Sequence, residues 1–286
     1  MAGRGSLTAQ LDALLPDRLA DRYASTGARL ANLRLITTLA VALLTGALAG
    51  AGSTLAIVVG ASARDLPFGL TRLLEGLAFS LGLVPAVTGG TGFFAADVLS
   101  IIAWVNRRIV PGKVLRNAAL VLLGNGLGSG AAALAALWGV FGAAANDSLR
   151  ERALQLACDK CHLAFTQALA LGFMGSVLVC LAVWLCLSAQ STGGKVLALV
   201  FPIAALAAGG FEHTVTSFYF VPLGLLIQSL LPSGISGPAC TSRLTLGRFV
   251  FGNLLPVTLG NVIGGPCMVA LVYWLLYLRP KHAQPR

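Results

Sequence analysis

An all-α membrane protein, with six spans in two three-span repeats of opposite orientation, is the fold this sequence predicts. Three observations point to it. Of 286 residues, 57% are hydrophobic and 10% charged, with a mean hydropathy of +0.84, a balance that a water-soluble domain could not hold in solution. Six apolar runs are each long enough to cross roughly 30 Å of hydrocarbon as a helix. Two pairs of those runs share an internal pattern. A β-barrel is excluded, because its strands would alternate polar and apolar residues over about ten positions.

Residues 1–34 form an arm in which Leu11, Leu14, Leu15 and Leu19 fall at helical spacing among acids and bases. That pattern suits a helix lying on the membrane surface, with a disordered tail as the alternative. The spans follow at 35–61, 77–105, 118–144, 163–188, 197–231 and 249–278, and a short tail covers 279–286. The second span is interrupted by Gly89, Gly90, Thr91 and Gly92, and the fifth by Gly209 and Gly210. The third holds Asn117 and Asn125 eight positions apart, and the sixth repeats this with Asn253 and Asn261, each pair closing on Leu-Gly-Asn. If spans one to three (35–144) recur as spans four to six (160–278), the odd number turns the second copy upside down. Broken helices in matching positions mark a solute path, since unwound backbone is tolerated at that depth only beside a cavity.

Gly46 and Gly50, Gly124 and Gly128, and Gly260 and Gly264 have the four-residue spacing that lets membrane helices approach closely. The run 124–128 also has the glycine pattern of a dinucleotide loop, but no strand precedes it. Positive charge sets orientation. Arg4, Arg18, Arg22, Arg29 and Arg34 lie in the arm, Arg107, Arg108, Lys113 and Arg116 after the second span, Lys195 after the fourth, and Arg279, Lys281 and Arg286 in the tail. The opposite loops carry fewer, so both termini are expected in the cytoplasm. The net charge of +10 is spread over loops rather than gathered on a basic helix, which argues for attraction to anionic lipid or solute and against nucleic acid.

Glu212 and His213 follow two glycines in the middle of the fifth span. Ionisable side chains at that depth are costly and usually line a polar path, so His213 is the leading functional residue; a core histidine satisfied by backbone and Glu212 is the plainer alternative. Asn125 and Asn261 are expected to satisfy backbone groups of the broken helices. Among six cysteines, Cys180, Cys186 and Cys267 lie in spans and act as small hydrophobes. Cys158-Asp159-Lys160-Cys161-His162 has the spacing used for c-type haem attachment, so a membrane haem subunit is one rival function; a disulfide from Cys158 or Cys161 to Cys240 is another use for those thiols. A channel for neutral solutes is the nearer rival. No nucleophile-base set, metal cluster or phosphate loop stands out, so neither enzyme nor cofactor is expected.

The segments 178–184, 201–203, 210–213, Pro222, 253–261 and Gly264-Gly265 resemble the formate/nitrite transporter family, over nearly the whole chain. The resemblance implies an aquaporin-like protomer, a homopentamer with one pore per protomer in a bacterial inner membrane, and small monovalent weak-acid anions as substrate. It places His213 on the central pore histidine, Glu212 on the acid beside it, and Lys160 on a lysine that draws anions into the outer vestibule. Phe79 and Phe94 match rings that constrict the pore, and Phe93 replaces a leucine. Several positions depart: Gly92-Phe93-Phe94-Ala95 loses a threonine at Ala95, Ser176 and Ser217 replace asparagines, Leu206 replaces a phenylalanine, and Asp97 replaces an asparagine, as a pore group or a cap. These changes bear on which anion passes more than on the fold.

Overall fold

The structure, a computed structural model, describes residues 16–88, 96–142, 147–230, 241–265, 268, 271–272 and 274–278. The helices are α1 (Pro16–Ala31), α2 (Leu35–Ser62), α3 (Phe68–Thr88), α4 (Ala96–Val105), α5 (Pro111–Gly139), α6 (Asp147–His162), α7 (Phe165–Ser188), α8 (Thr192–Ala208), α9 (Thr214–Leu230) and α10 (Leu255–Gly265), with π-helical segments at Arg248–Leu254 and Trp274–Leu278. Helices α2, α3, α5 and α7 are long and apolar enough to cross a membrane, while α8 and α9 are shorter apolar pieces.

The two halves are built alike. The first and third spans of each half pack together, α2 on α5 and α7 on α10. Small residues permit this: a Cβ at Gly128 would overlap the carbonyl of Leu43, and one at Gly264 the carbonyl of Phe173. The four-residue glycine spacing thus brings backbones into contact in both halves, as membrane helices with small-residue seams do. The second apolar run is divided into α3 and α4 and the fifth into α8 and α9, and α3 packs on α8 through Gly76 against the backbone of Ala204.

Three features differ from the sequence expectation. A helix, α6, fills the connection before the fourth span; it is too polar to stand out as an apolar run, yet Ala153, Leu154, Ala157, Cys158 and Cys161 are buried. The helical part of the arm runs to Ala31, where Tyr23 stacks on Trp184 of α7 at 3.9 Å; Leu11, Leu14 and Leu15 lie outside the described residues. The sixth span opens as a π-helix, because Pro256 cannot donate a backbone hydrogen bond and the Leu255 N–H reaches back five residues to Val250.

Arg116 of α5 donates to the carbonyls of Ala31 (2.8 Å) and Leu33 (3.2 Å), and Lys113 to Asn32. These bonds satisfy carbonyls at the end of α1 and tie the arm to the bundle.

Candidate functional site

Between α8 and α9 the chain unwinds over five residues. Gly210 adopts a φ of +67°, which a residue with a Cβ rarely takes, and this turns the backbone out of the helix. The Phe211 N–H still bonds the Leu206 carbonyl (3.0 Å), closing the end of α8, and the Glu212 N–H bonds the Leu171 carbonyl across to α7 (3.2 Å). A Cβ at Gly175 would overlap the Glu212 carbonyl, so α7 is hollowed out to receive the break. Asn261 then anchors it. Its Oδ1 accepts from the Thr214 N–H and the Thr214 hydroxyl (both 2.9 Å), and its Nδ2 donates to the carbonyls of Gly172 (2.7 Å) and Glu212 (3.3 Å). Backbone polar groups stranded in an apolar layer each cost several kcal/mol, roughly, and one amide side chain supplies partners for three of them.

His213 is buried at the foot of α9. Its Nδ1 accepts from the Val215 N–H at 3.4 Å, and its carbonyl accepts from Thr216 and Ser217, so ring and backbone both cap the helix start. The neighbouring Glu212 points into a different cluster. Lys160 Nζ donates to Glu212 Oε2 at 2.7 Å, with the two side chains 10% and 9% exposed. Around them stand Thr216 Oγ1 at 3.5 Å from Nζ, Ser217 Oγ at 3.4 Å from Oε2, Asn253 Nδ2 at 3.5 Å from Oε2, and the Phe220 ring 5.4 Å from Nζ. Asn253 also donates to the Lys160 carbonyl (3.2 Å) from within the π-helical segment, whose altered turn aims it there. Lys160 therefore sits buried on α6, not at the end of a span with its ammonium in water.

A cavity of about 420 Å³ opens over this pair. Lys160, Glu212 and Thr216, Arg72 and Glu75 of α3, and Phe79 and Leu206 are among its lining residues. Phe79 and Leu206 are 5% and 3% exposed, so they add a buried apolar part to its lining. His213 is not among the lining residues and follows directly after Glu212 at the break.

Among the other residues singled out by sequence, Ser176 ties two helices: its hydroxyl donates to the Asn261 carbonyl (2.7 Å) and accepts from the Gly265 N–H (3.1 Å). Asn125 is fully buried on α5 and neither of its side-chain polar atoms has a hydrogen-bond partner among the described residues. Phe93, Phe94 and Ala95 lie outside the described residues, as does the side chain of Asp97. Sequence reading missed α6 as the carrier of Lys160 and left out Thr216, Phe220 and Glu75. An acid one turn before Phe79, just ahead of an apolar run, was the available signal for Glu75.

The haem-type motif is accounted for otherwise. Cys158 is disulfide-bonded, which removes the first of the two thiols haem attachment needs, while Cys161 is a buried free thiol and His162 Nδ1 is engaged with the Cys158 carbonyl at 2.9 Å. Cys240 lies outside the described residues. Among the described residues no group of three or more His, Cys, Asp or Glu side chains is arranged to hold a metal ion.

Residues 17–275 match the family described as formate/nitrite transporter. The formate channel FocA of Escherichia coli (strain K12) is 33% identical over 273 residues, covering 94% of this chain and 96% of the relative. A probable formate transporter of Methanothermobacter thermautotrophicus is 31% identical, covering 82% and 87%. Among solved structures, a pentameric formate channel with formate bound is similar at a TM-score of 0.78 and 35% identity, covering 85% of this chain and 98% of that one. An FNT family ion channel is similar at 0.75 and 25%, covering 94% and 99%.

Proposed function

Because the chain belongs to the formate/nitrite transporter family, we propose that it passes small monovalent weak-acid anions, of the formate and nitrite kind, through one pore in each protomer of a homopentamer. The membrane is a bacterial inner membrane with both termini cytoplasmic, so the cavity over Lys160 faces outward. The pore domain is 35–278, divided into repeats 35–144 and 160–278. One observation supports the reading above the rest: a buried, hydrogen-bonded lysine-glutamate pair lines a cavity shared with Phe79 and Leu206, next to a helix break carrying His213.

A free anion in a low-dielectric passage meets a Born-type penalty that its conjugate acid largely escapes. Lys160 concentrates the anion in the cavity, with Thr216 and Ser217 as additional polar partners. Its pairing with Glu212 keeps the lysine from binding the solute too tightly to release. Phe79 and Leu206, together with Phe93, Phe94 and Ala95, then favour the neutral form. His213, whose Nδ1 accepts from the Val215 N–H, donates a hydrogen bond or a proton there from its other ring nitrogen. Glu212, Asn261 and Asp97 support the breaks rather than touch solute, and Asn125 is kept in that role for the other half, its side chain having no hydrogen-bond partner among the described residues. Uptake is electroneutral at low pH, where anion and proton leave together, and more channel-like as pH rises.

A neutral-solute channel has no use for an ion pair at the neck of its conduit, which places that rival second. Uptake of labelled formate, nitrite and acetate into proteoliposomes across a pH series tests the proposal. Formate or nitrite flux that His213→Phe removes or strips of its pH dependence is the expected outcome. Flux of glycerol or water with no weak-acid anion uptake would reject it.

A further inference from the structure

The cavity has a second charged cluster, which none of the resemblance or the proposed mechanism uses. Glu75 on α3 is 4% exposed, and its Oε1 accepts from both Nε (2.9 Å) and Nη2 of Arg152 on α6. Gly60 on α2 makes this possible: a Cβ there would overlap Glu75 Oε1 and lie 3.0 Å from Arg152 Nε. The other carboxylate oxygen, Oε2, has Arg72 Nη1 at 3.7 Å, beyond hydrogen-bonding distance. Two arginines thus share one acid, and the cluster carries a net charge of one positive unit, since two cations less one anion leaves +1.

Arg72 stands at a junction. It lines both the cavity over Lys160 and a second one of about 480 Å³ that also includes Arg64 and Arg152. The other cations of these cavities are committed: Arg64 to Glu151 (2.8 Å) and the Ser148 carbonyl (2.9 Å), Arg152 to Glu75, and Lys160 to Glu212. Among the described residues Arg72 donates no hydrogen bond; its guanidinium is held over the Phe68 ring at 5.5 Å and is partly exposed. A planar fork of donors, fixed by an aromatic face and a distant carboxylate, suits bidentate capture of a small planar oxyanion. Arg72 and Phe79 lie seven positions apart, two turns of one helix, so the capture point is roughly 10 Å above the constriction.

We propose that Arg72 is the entry site of this conduit, where the two oxygens of a carboxylate or nitrite first bind before passing to Lys160. The proposal rests on the reading that anions cross this cavity. Glu75 and Arg152 are positioning residues: they hold α3 against α6 and occupy the carboxylate that would otherwise neutralise Arg72. Asp159, which lines both cavities and accepts from Gln155 at 2.7 Å, opposes the anion's approach.

The test compares native protein with Arg72→Gln, Arg72→Lys and Asp159→Asn for formate uptake in proteoliposomes at several ionic strengths. Losing one charge-assisted bidentate contact raises the half-saturating formate concentration about tenfold in Arg72→Gln and flattens its dependence on salt. Arg72→Lys keeps the salt dependence but binds less tightly than native, and Asp159→Asn shifts half-saturation downward. An Arg72→Gln protein of normal pentamer size with native half-saturation and salt dependence would overturn the entry site and leave the transport reading intact. If native protein takes up no formate, the transport reading fails. Thermal stabilisation of detergent-solubilised protein by sodium formate, against sodium chloride, still decides Arg72: a shift in native protein that Arg72→Gln lacks supports the site, and equal shifts or none reject it.

Discussion

Two carboxylates, Glu212 and Glu75, line one cavity, and their surroundings differ in a way that separates structure from recruitment. Glu212 lies at a helix break, where its carboxylate meets a lysine on α6, a serine on α9 and an asparagine in the π-helical segment. Glu75 lies on an uninterrupted turn of α3, and its partners are two arginines. The first cluster is neutral and closed, with both charged side chains about nine-tenths buried; the second has a surplus cation, and Arg152 and Arg72 retain 20% and 24% exposure. A buried closed pair is costly to open, whereas a partly exposed pair can relax into water. The difference fits the proposed division of roles, with Lys160 and Glu212 inside the conduit and Arg72 at its entry.

Opening the closed pair is the largest perturbation. Glu212→Leu leaves Lys160 buried without its counter-ion and is expected to destabilise the protein by about 3–5 kcal/mol, measured as urea or thermal unfolding in detergent. The double variant Lys160→Met with Glu212→Leu recovers most of that loss, and a double variant as unstable as the single would show that the carboxylate matters for packing, not charge.

Glu75→Gln is milder. The amide oxygen still accepts from Arg152, and the arginine can turn toward solvent, so a loss of about 1–2 kcal/mol is expected. Equal losses at Glu75 and Glu212 would erase the distinction between the two clusters. Gly60→Ala sharpens it from the other side: the new methyl meets the flexible end of Glu75, and moving the pair costs about 1 kcal/mol. A Gly60→Ala protein with native stability would mean that α2 leaves more room than the packing indicates.

The smallest effect concerns reactivity. Cys161 adjoins Lys160 on α6, and burial pushes its thiol up to about 11, with Lys160 only partly opposing this. The thiolate fraction is therefore small at pH 8 and grows as pH approaches 11, so maleimide labelling of folded protein at pH 8 is slow and becomes fast on unfolding. Rapid labelling of the folded form would show that α6 opens and exposes the closed pair.

Much of the fold was legible in the residues because the apolar layer enforces simple rules. Continuous apolar runs had to be helices, and Gly209-Gly210 before Glu212-His213 marked a break. The paired Leu-Gly-Asn motifs of Asn125 and Asn261 marked related helices. What escaped has a common origin. Helix α6 is half polar, so hydropathy carries no trace of it, yet it delivers both Lys160 and Arg152. The π-helical segment depends on one missing N–H at Pro256, a local defect with no periodic signature.

Sequence by itself determined the apolar spans, their interruptions, the inverted duplication and the residues able to carry charge at depth, because a hydrocarbon layer penalises every polar group at its own position. Which charges meet was decided only by tertiary structure. Lys160 and Glu212 are 52 positions apart, and Arg152 and Glu75 are 77. Ion pairing depends on distances of a few ångströms, and those are set by helix packing through Gly60 and Gly175, not by order along the chain.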